Sequence, residues 1–400
     1  MSERRVGLIG AMLIAIGPVS MALFTPAMPE LVVAFDTTEA AVKMTLSLYF
    51  AGFALTQLVC GPLSDGFGRK PVTFAFLSIY LAASLLALVA PSIELLIAAR
   101  FLQGVGAAVG LAMSRALVRD LFTHETSARI MNLMGLILGI APAAAPTIGG
   151  ITMELAGWHA IFVVMFAAAI TIMIVVHFFM AETVERDLSR IRPKALLHAY
   201  GTLLSTPYFM LCSLVLAGTV GALYTQATVL PFILMQHVGL TPTEFGMSML
   251  MQSGMYFLGA LVARWLMPYL RSAKLVPVGL CCVAIGSVAL ATSLRLYEPT
   301  FLSVMGPVAF YAFGISFIMP AMLTAALAPF PHIAGAASSM SGFFQMGGGL
   351  LGGVICALMA EPVTAMATVI PVFGLVAIIS WLVWRRLPEP APGAPRGGDA

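Results

Sequence analysis

The stretch "GPLSDGFGRKPV", residues 61–72, sets one acid and two bases among three glycines and two prolines, between two long apolar runs. The rest of the chain avoids charge. Hydrophobic residues fill 60% of its 400 positions, charged ones 9%, and the mean hydropathy is +1.01. A soluble domain carries roughly a quarter charged residues, so this chain cannot present a wetted surface and reads as a membrane protein. A charge cluster in such a chain marks a place where it leaves the apolar phase.

A helix that crosses the bilayer needs roughly 20 mostly apolar residues. That rule gives twelve spans, over 6–28, 40–62, 73–91, 94–116, 128–150 and 158–180, and then 209–235, 243–268, 274–294, 300–326, 334–359 and 364–386. The expected fold is all-α and integral to the membrane, with two pseudo-symmetric six-helix bundles over 1–180 and 209–386. A polar linker, 181–208, joins them, and a Pro- and Gly-rich tail, 387–400, is expected to be disordered. "MSERR" runs straight into the first apolar run with no small-residue cleavage site behind it, so that span is read as retained. With the N-terminus in the cytoplasm, seventeen of the twenty Lys and Arg fall at cytoplasmic ends or loops, which favours that orientation and puts both termini inside.

Several classes are disfavoured. A net charge of +3, spread along the chain, does not suit nucleic-acid binding. Cys60, Cys212, Cys281, Cys282 and Cys356 lie in apolar runs without metal-ligand spacing and read as small hydrophobes; no metal or cofactor is expected. The six histidines are scattered near both membrane faces, whereas an enzyme would gather acids and bases on one. No P-loop pattern occurs, so ATP bound to this chain is not expected to drive it.

Read physically, the opening stretch puts Asp65 near the C-terminal end of the second span, where the helix dipole disfavours an acid. It needs a cation or another helix's N-terminus as partner, and Arg69, Arg115 and Arg119 lie on the same side. Gly66 and Gly68 permit a tight turn, and Pro71 suits the first turn of the next helix. A stop-transfer cluster that only fixes topology is the alternative.

The full pattern, Gly-x-x-x-Asp-x-x-Gly-Arg-Lys between spans two and three of twelve, resembles the hallmark loop of the major facilitator superfamily. "FTPAMPEL", "RFLQGVGAA", "RALVRDLF", "APAAAPTIGG" and "WHAIF" follow in the order found in its drug:proton antiporters of the Bcr/CflA type. The matching motifs cover residues 20–165; the C-terminal half matches in layout. The resemblance implies a secondary exporter of small amphipathic compounds, chloramphenicol- or bicyclomycin-like, working by alternating access as a monomer in the inner membrane and exchanging substrate for protons. It also implies a conformational latch at Gly61, Asp65, Gly68, Arg69, Lys70, Arg115, Arg119 and Asp120. Many relatives carry Arg after the loop's acid, where this chain has Gly66.

Two features bear on coupling. Arg100 sits inside span four with Gln103 nearly one turn on; an intramembrane Arg is costly and usually functional or paired, with snorkelling to the surface as the alternative. The family's span-four Arg implies a role for Arg100 in the cavity and in proton release. Relatives carry an acid in span one where this chain has Ala22, so Glu30 becomes the candidate proton carrier together with Arg100. The missing acid leaves a metabolite or sugar exporter, or an uncoupled facilitator, as the alternative. Polar or aromatic residues on cavity-lining spans are the substrate-binding candidates: Tyr49, Gln57, Arg100, Gln103, Tyr224, Gln226, Gln252, Tyr256, Tyr311, Phe344 and Gln345. Gly139, Pro142, Pro146, Gly149 and Gly150 give span five a small packing face and kinks; Gly348, Gly349, Gly352 and Gly353 give one to span eleven.

Overall fold

A computed structural model describes residues 2–122, 124–267, 269, 272–359, 361–388 and 390; for 124, 125, 128, 132, 135–142, 190, 272 and 273 it describes the backbone only. Helices dominate it, and no strand occurs among the described residues. Eleven helical stretches among them are long and apolar enough to cross a membrane. One continuous helix, His124–Phe179, is 56 residues long. At about 1.5 Å per residue it would run roughly 84 Å, far more than a hydrocarbon core of about 30 Å. It breaks at Gly157, whose φ of 74° only glycine adopts without strain. It is long enough for two crossings, which makes twelve among the described residues.

In chain order the crossings are α1 (Glu3–Ala34), α2 (Glu39–Phe67), α3 (Arg69–Leu88), α4 (Ile93–Leu121), α5 (124–156), α6 (158–179), α7 (Pro207–His237), α8 (Pro242–Leu266), α9 (Lys274–Leu296), α10 (Phe301–Leu327), α11 (Pro331–Leu358) and α12 (Pro362–Trp384). The chain enters and leaves on one face, here the terminal face; the opposite one is the far face. A helix start leaves backbone N–H groups without partners. Five helices that begin at the far face satisfy them with a side chain just outside the helix: Thr38, Ser92, Thr241, Thr300 and Glu361.

Buried apolar residues form two large clusters, one built mainly from Val6 to Met180, the other from Tyr200 to Ala377. The chain is a multi-pass membrane protein with two six-helix halves. Glycines bring the halves together. A Cβ on Gly353 of α11 would overlap Ser47 of α2, one on Gly349 would crowd Phe50 and Tyr224, and one on Gly342 would overlap Gln57. On the other side of the molecule, Gly150 of α5 lies on the Pro242 backbone and Gly246 of α8 on that of Pro146. Gly149 instead packs on the Leu23 carbonyl of α1, inside its own half. For side-chain packing, Gly139 and Pro142 lie outside the described residues.

Between the halves the chain forms a short helix, Pro193–Leu204. Its Tyr200 donates to the Leu58 carbonyl of α2 at 2.6 Å, and burial pushes the phenol up to about 12. Most of the tail 387–400 lies outside the described residues.

Candidate functional site

A cavity of about 240 Å³ lies between the halves. From the N-terminal half it is walled by Pro18, Met21, Ala22 and Thr25 of α1 and Pro146 of α5. From the C-terminal half come Leu223 and Tyr224 of α7, Phe245, Met249, Gln252, Ser253 and Tyr256 of α8, and Ala312, Ile315 and Met319 of α10, with a few further α7 aliphatics. Among the described residues, no Asp, Glu, Lys, Arg or His reaches its wall. Gln252 donates to Gln226 at 3.1 Å, so Gln226 stands one layer behind.

Of the residues expected to bind substrate, Tyr224, Gln252 and Tyr256 line this cavity. The others lie elsewhere. Tyr311 is buried and donates to the Gly218 carbonyl at 3.0 Å, tying α10 to α7. Gln345 turns back on the Ser341 carbonyl at 3.2 Å, Phe344 packs beside Phe343, and Gln57 abuts Gly342 where the halves meet. Met21, Thr25, Met249 and Ser253 line the wall although the sequence reading did not pick them. Their helical register with Ala22 and Gln252 was the available signal.

Arg100 does not line the cavity. It is 0% exposed and its guanidinium lies between two rings, 4.3 Å from the centroid of Phe24 and 4.5 Å from that of Tyr49. Its Nη1 donates to Gln103 Oε1 at 2.7 Å, and Gln103 donates on to Ser84 Oγ at 2.8 Å. Tyr49 in turn donates to the Gly17 carbonyl of α1 at 2.8 Å. No acid pairs with Arg100 among the described residues, and its Nε and Nη2 meet no protein acceptor. Ring faces, one amide and the Met165 Sδ at 3.9 Å hold the charge; a desolvated cation–π contact contributes about 2 kcal/mol. Arg100, Gln103, Ser84 and Tyr49 thus tie α1, α2, α3 and α4 into one polar core.

The hallmark turn is more helical than its sequence suggests. α2 continues through Asp65 to Phe67, α3 starts at Arg69, and Gly68 alone lies between, at φ 98°. Arg69 is buried and holds Asp65 at 2.6 Å and, through Nε, Asp120 of α4 at 3.0 Å, with Ser64 as a further acceptor. Glu182, just beyond α6, accepts from the backbone N–H of Arg69 at 2.8 Å and of Lys70 at 3.0 Å, and so caps α3. Lys70 reaches the His177 carbonyl at 2.8 Å. Arg115 turns away from this cluster and donates to Ser338 of α11 at 3.0 Å, a bond between the halves; Arg119 lies exposed. Gly61 faces open space. Gly66 receives the linker: a Cβ there would overlap Ile191, and Asp187 N–H donates to the Gly66 carbonyl at 3.0 Å.

At the far face the halves are joined by polar contacts as well. Glu154 at the end of α5 accepts from the Thr243 N–H of α8 at 2.9 Å. Lys43 of α2 is 1% exposed, pairs with Glu39 at 3.1 Å and stands 5.1 Å over the Phe232 ring of α7. Glu30, directly after Pro29 in α1, is exposed there.

The profile of the family described as Major Facilitator Superfamily matches residues 10–353, and the chain belongs to that superfamily. It is 27% identical to Multidrug resistance protein D of Escherichia coli strain K12, with 93% of each chain covered. It is also 27% identical to a Chloramphenicol resistance protein of Pseudomonas aeruginosa, over 84% of this chain and 78% of that one. Among solved structures, a bacterial homologue of the human lysosomal transporter Spinster, inward-facing and unoccupied, shares the fold with a TM-score of 0.76 at 15% identity, covering 96% of this chain and 97% of that one.

Proposed function

We propose that this member of the Major Facilitator Superfamily exports small amphipathic compounds, antibiotics among them, by alternating access in the cytoplasmic membrane. The observation that carries the reading is the apolar cavity walled by both halves, which a rocking motion would open to each side in turn. The names of the multidrug and chloramphenicol resistance relatives support the substrate class and the outward direction.

In this reading the chain acts as a carrier and not as an enzyme. Residues 1–180 and 209–386 move as two bodies about the linker 181–208. The terminal face is cytoplasmic, in keeping with its excess of Lys and Arg. The working unit in this reading is a monomer, in keeping with a cavity whose walls come from both halves of one chain. Asp65, Arg69, Asp120 and Glu182 hold the N-terminal half rigid at its cytoplasmic end, while Arg115–Ser338 there and Glu154–Thr243 at the far face are contacts that must break and re-form between states.

Proton antiport supplies the driving force, with Glu30 and Arg100 as the groups to test. Inverted membrane vesicles with an acid interior, read by a quenched dye, provide the assay. Adding chloramphenicol should relieve the quench with wild-type protein, and Glu30→Gln should abolish the response. A specific observation favours a second reading, an uncoupled facilitator: Ala22 stands in the cavity wall where relatives place an acid, and among the described residues no Asp, Glu, Lys, Arg or His lines that wall. Labelled chloramphenicol crossing the membrane while the gradient stays untouched would select that second reading; no movement of any amphipathic compound would rule out both.

A further inference from the structure

The cavity combines two properties that restrict what can occupy it. Among the described residues its wall carries no charged side chain, and its polar groups, Thr25 apart, come from one half. Gln252, Ser253 and Tyr256 of α8 and Tyr224 of α7 face it from the C-terminal half. The N-terminal half offers Met21, Ala22 and Pro18, with a single hydroxyl, Thr25, that is already donating to the Ala22 carbonyl at 2.8 Å. The buried cation Arg100 does not line the cavity and is sealed between Phe24 and Tyr49.

An ion entering such a space loses its hydration and finds no counter-charge, and that loss is costly for either sign. An uncharged molecule pays only for its hydrogen-bonding groups, and those can be met. Gln252 gives one of its two amide N–H groups to Gln226 and keeps its carbonyl oxygen as an acceptor, beside the Ser253 hydroxyl and that of Tyr256, whose O–H meets only the weak acceptor Met319 Sδ at 3.7 Å.

Resting on the export reading above, we propose that the transported class is compact, uncharged amphiphiles bearing hydroxyl or amide donors. They bind with the polar end on α8 and the apolar body against α1, and the carrier rejects lipophilic cations. The side chain at position 22 sets that charge selectivity, because it is the point where the N-terminal wall could present an acid to the ligand.

The test is equilibrium binding to the full chain in lipid nanodiscs, with radiolabelled chloramphenicol as the uncharged probe and tetraphenylphosphonium as the fixed cation. Wild type should bind chloramphenicol at least about tenfold more tightly than the cation. Ala22→Asp should raise affinity for the cation about tenfold or more, while Ala22→Asn, of the same shape and without charge, should not. Gln252→Ala should weaken chloramphenicol about fivefold and leave the weak cation binding unchanged. Wild type binding the cation as tightly as chloramphenicol would overturn the proposed class and leave export standing. An Ala22→Asp variant that binds chloramphenicol yet gains nothing for the cation would overturn the role of position 22. If neither probe binds to wild type, the proposed class is overturned, and the export reading falls with it only where the vesicle assay also shows no movement of any amphipathic compound.

Discussion

The two halves share a fold but not a chemistry. Among the described residues the N-terminal half buries three charged side chains, Lys43, Arg69 and Arg100, whereas the C-terminal half buries only hydroxyls and amides, such as Ser213, Thr225, Gln226, Ser287 and Gln345. Each N-terminal charge is spent on a helix junction: Arg69 on the ends of α2 and α4, Arg100 on the packing of α1 to α4, and Lys43 on the contact of α2 with α7. The polar groups that reach the cavity come almost wholly from the C-terminal half. This difference suggests a division of labour, with the first half built to keep its shape while it moves and the second built to hold the ligand.

The comparison can be broken most easily at Arg69. Arg69→Ala removes the partner of both Asp65 and Asp120, whose side chains are 44% and 16% exposed, so water takes over part of the interaction and the loss is that of charge-assisted hydrogen bonds, about 2–3 kcal/mol; thermal unfolding in detergent should register a loss of that order. The matching change in the other half is much milder. Gln345→Ala removes one amide bond to the Ser341 carbonyl, and the expected loss is about 1 kcal/mol. Equal losses at the two positions would erase the contrast.

An ordinary charge outside the membrane sharpens it further. Glu361 accepts from the Val363 and Thr364 N–H groups at the start of α12. Burial pushes its carboxyl up, but those hydrogen bonds and the charge of His237 outweigh it and leave the group below its ordinary value of 4.5. A depressed carboxyl stabilises the folded state above that ordinary value and stops doing so as pH falls through the folded one. Glu361→Ala should therefore cost about 1 kcal/mol at neutral pH, and the difference from wild type should vanish on acidification below pH 4.5.

Smallest of all should be the stability effect of Arg100→Met. The guanidinium sits desolvated without an acid, and an apolar chain of similar length fills such a cage at little or no cost. A melting point unchanged within the error of about 1 kcal/mol, or raised, is expected. A large loss would mean that the ring and amide contacts over-compensate the charge.

Much of this was legible in the sequence for a plain reason: a chain with so little charge advertises each place where charge is kept. The twelve spans, the hallmark turn and Asp65–Arg69 four residues apart followed from that. The break at Gly157 fell between the fifth and sixth expected spans. What could not be read were the partners that the fold brings from far along the chain. Spacing put Arg100 and Gln103 on one side of α4, but not Phe24 and Tyr49 around them, so Arg100 was expected in the cavity. Gly66 looked like a turn residue and is instead helical, a landing place for Asp187 and Ile191 of the linker. Tyr311 and Gln345 were polar residues on suitable helices, yet each turns its polar atom to a backbone carbonyl. Polarity alone does not say which way a side chain faces. Ala22 is the opposite case, singled out for what it lacks and now seen in the cavity wall.

The most direct test of the division of labour measures binding and transport of labelled chloramphenicol on two variants side by side, Arg100→Met and Gln252→Ala. The account predicts that Arg100→Met binds like wild type but transports at least about tenfold more slowly, and that Gln252→Ala loses affinity about fivefold. Loss of binding in Arg100→Met together with intact binding in Gln252→Ala would contradict it, and would move ligand recognition into the N-terminal half.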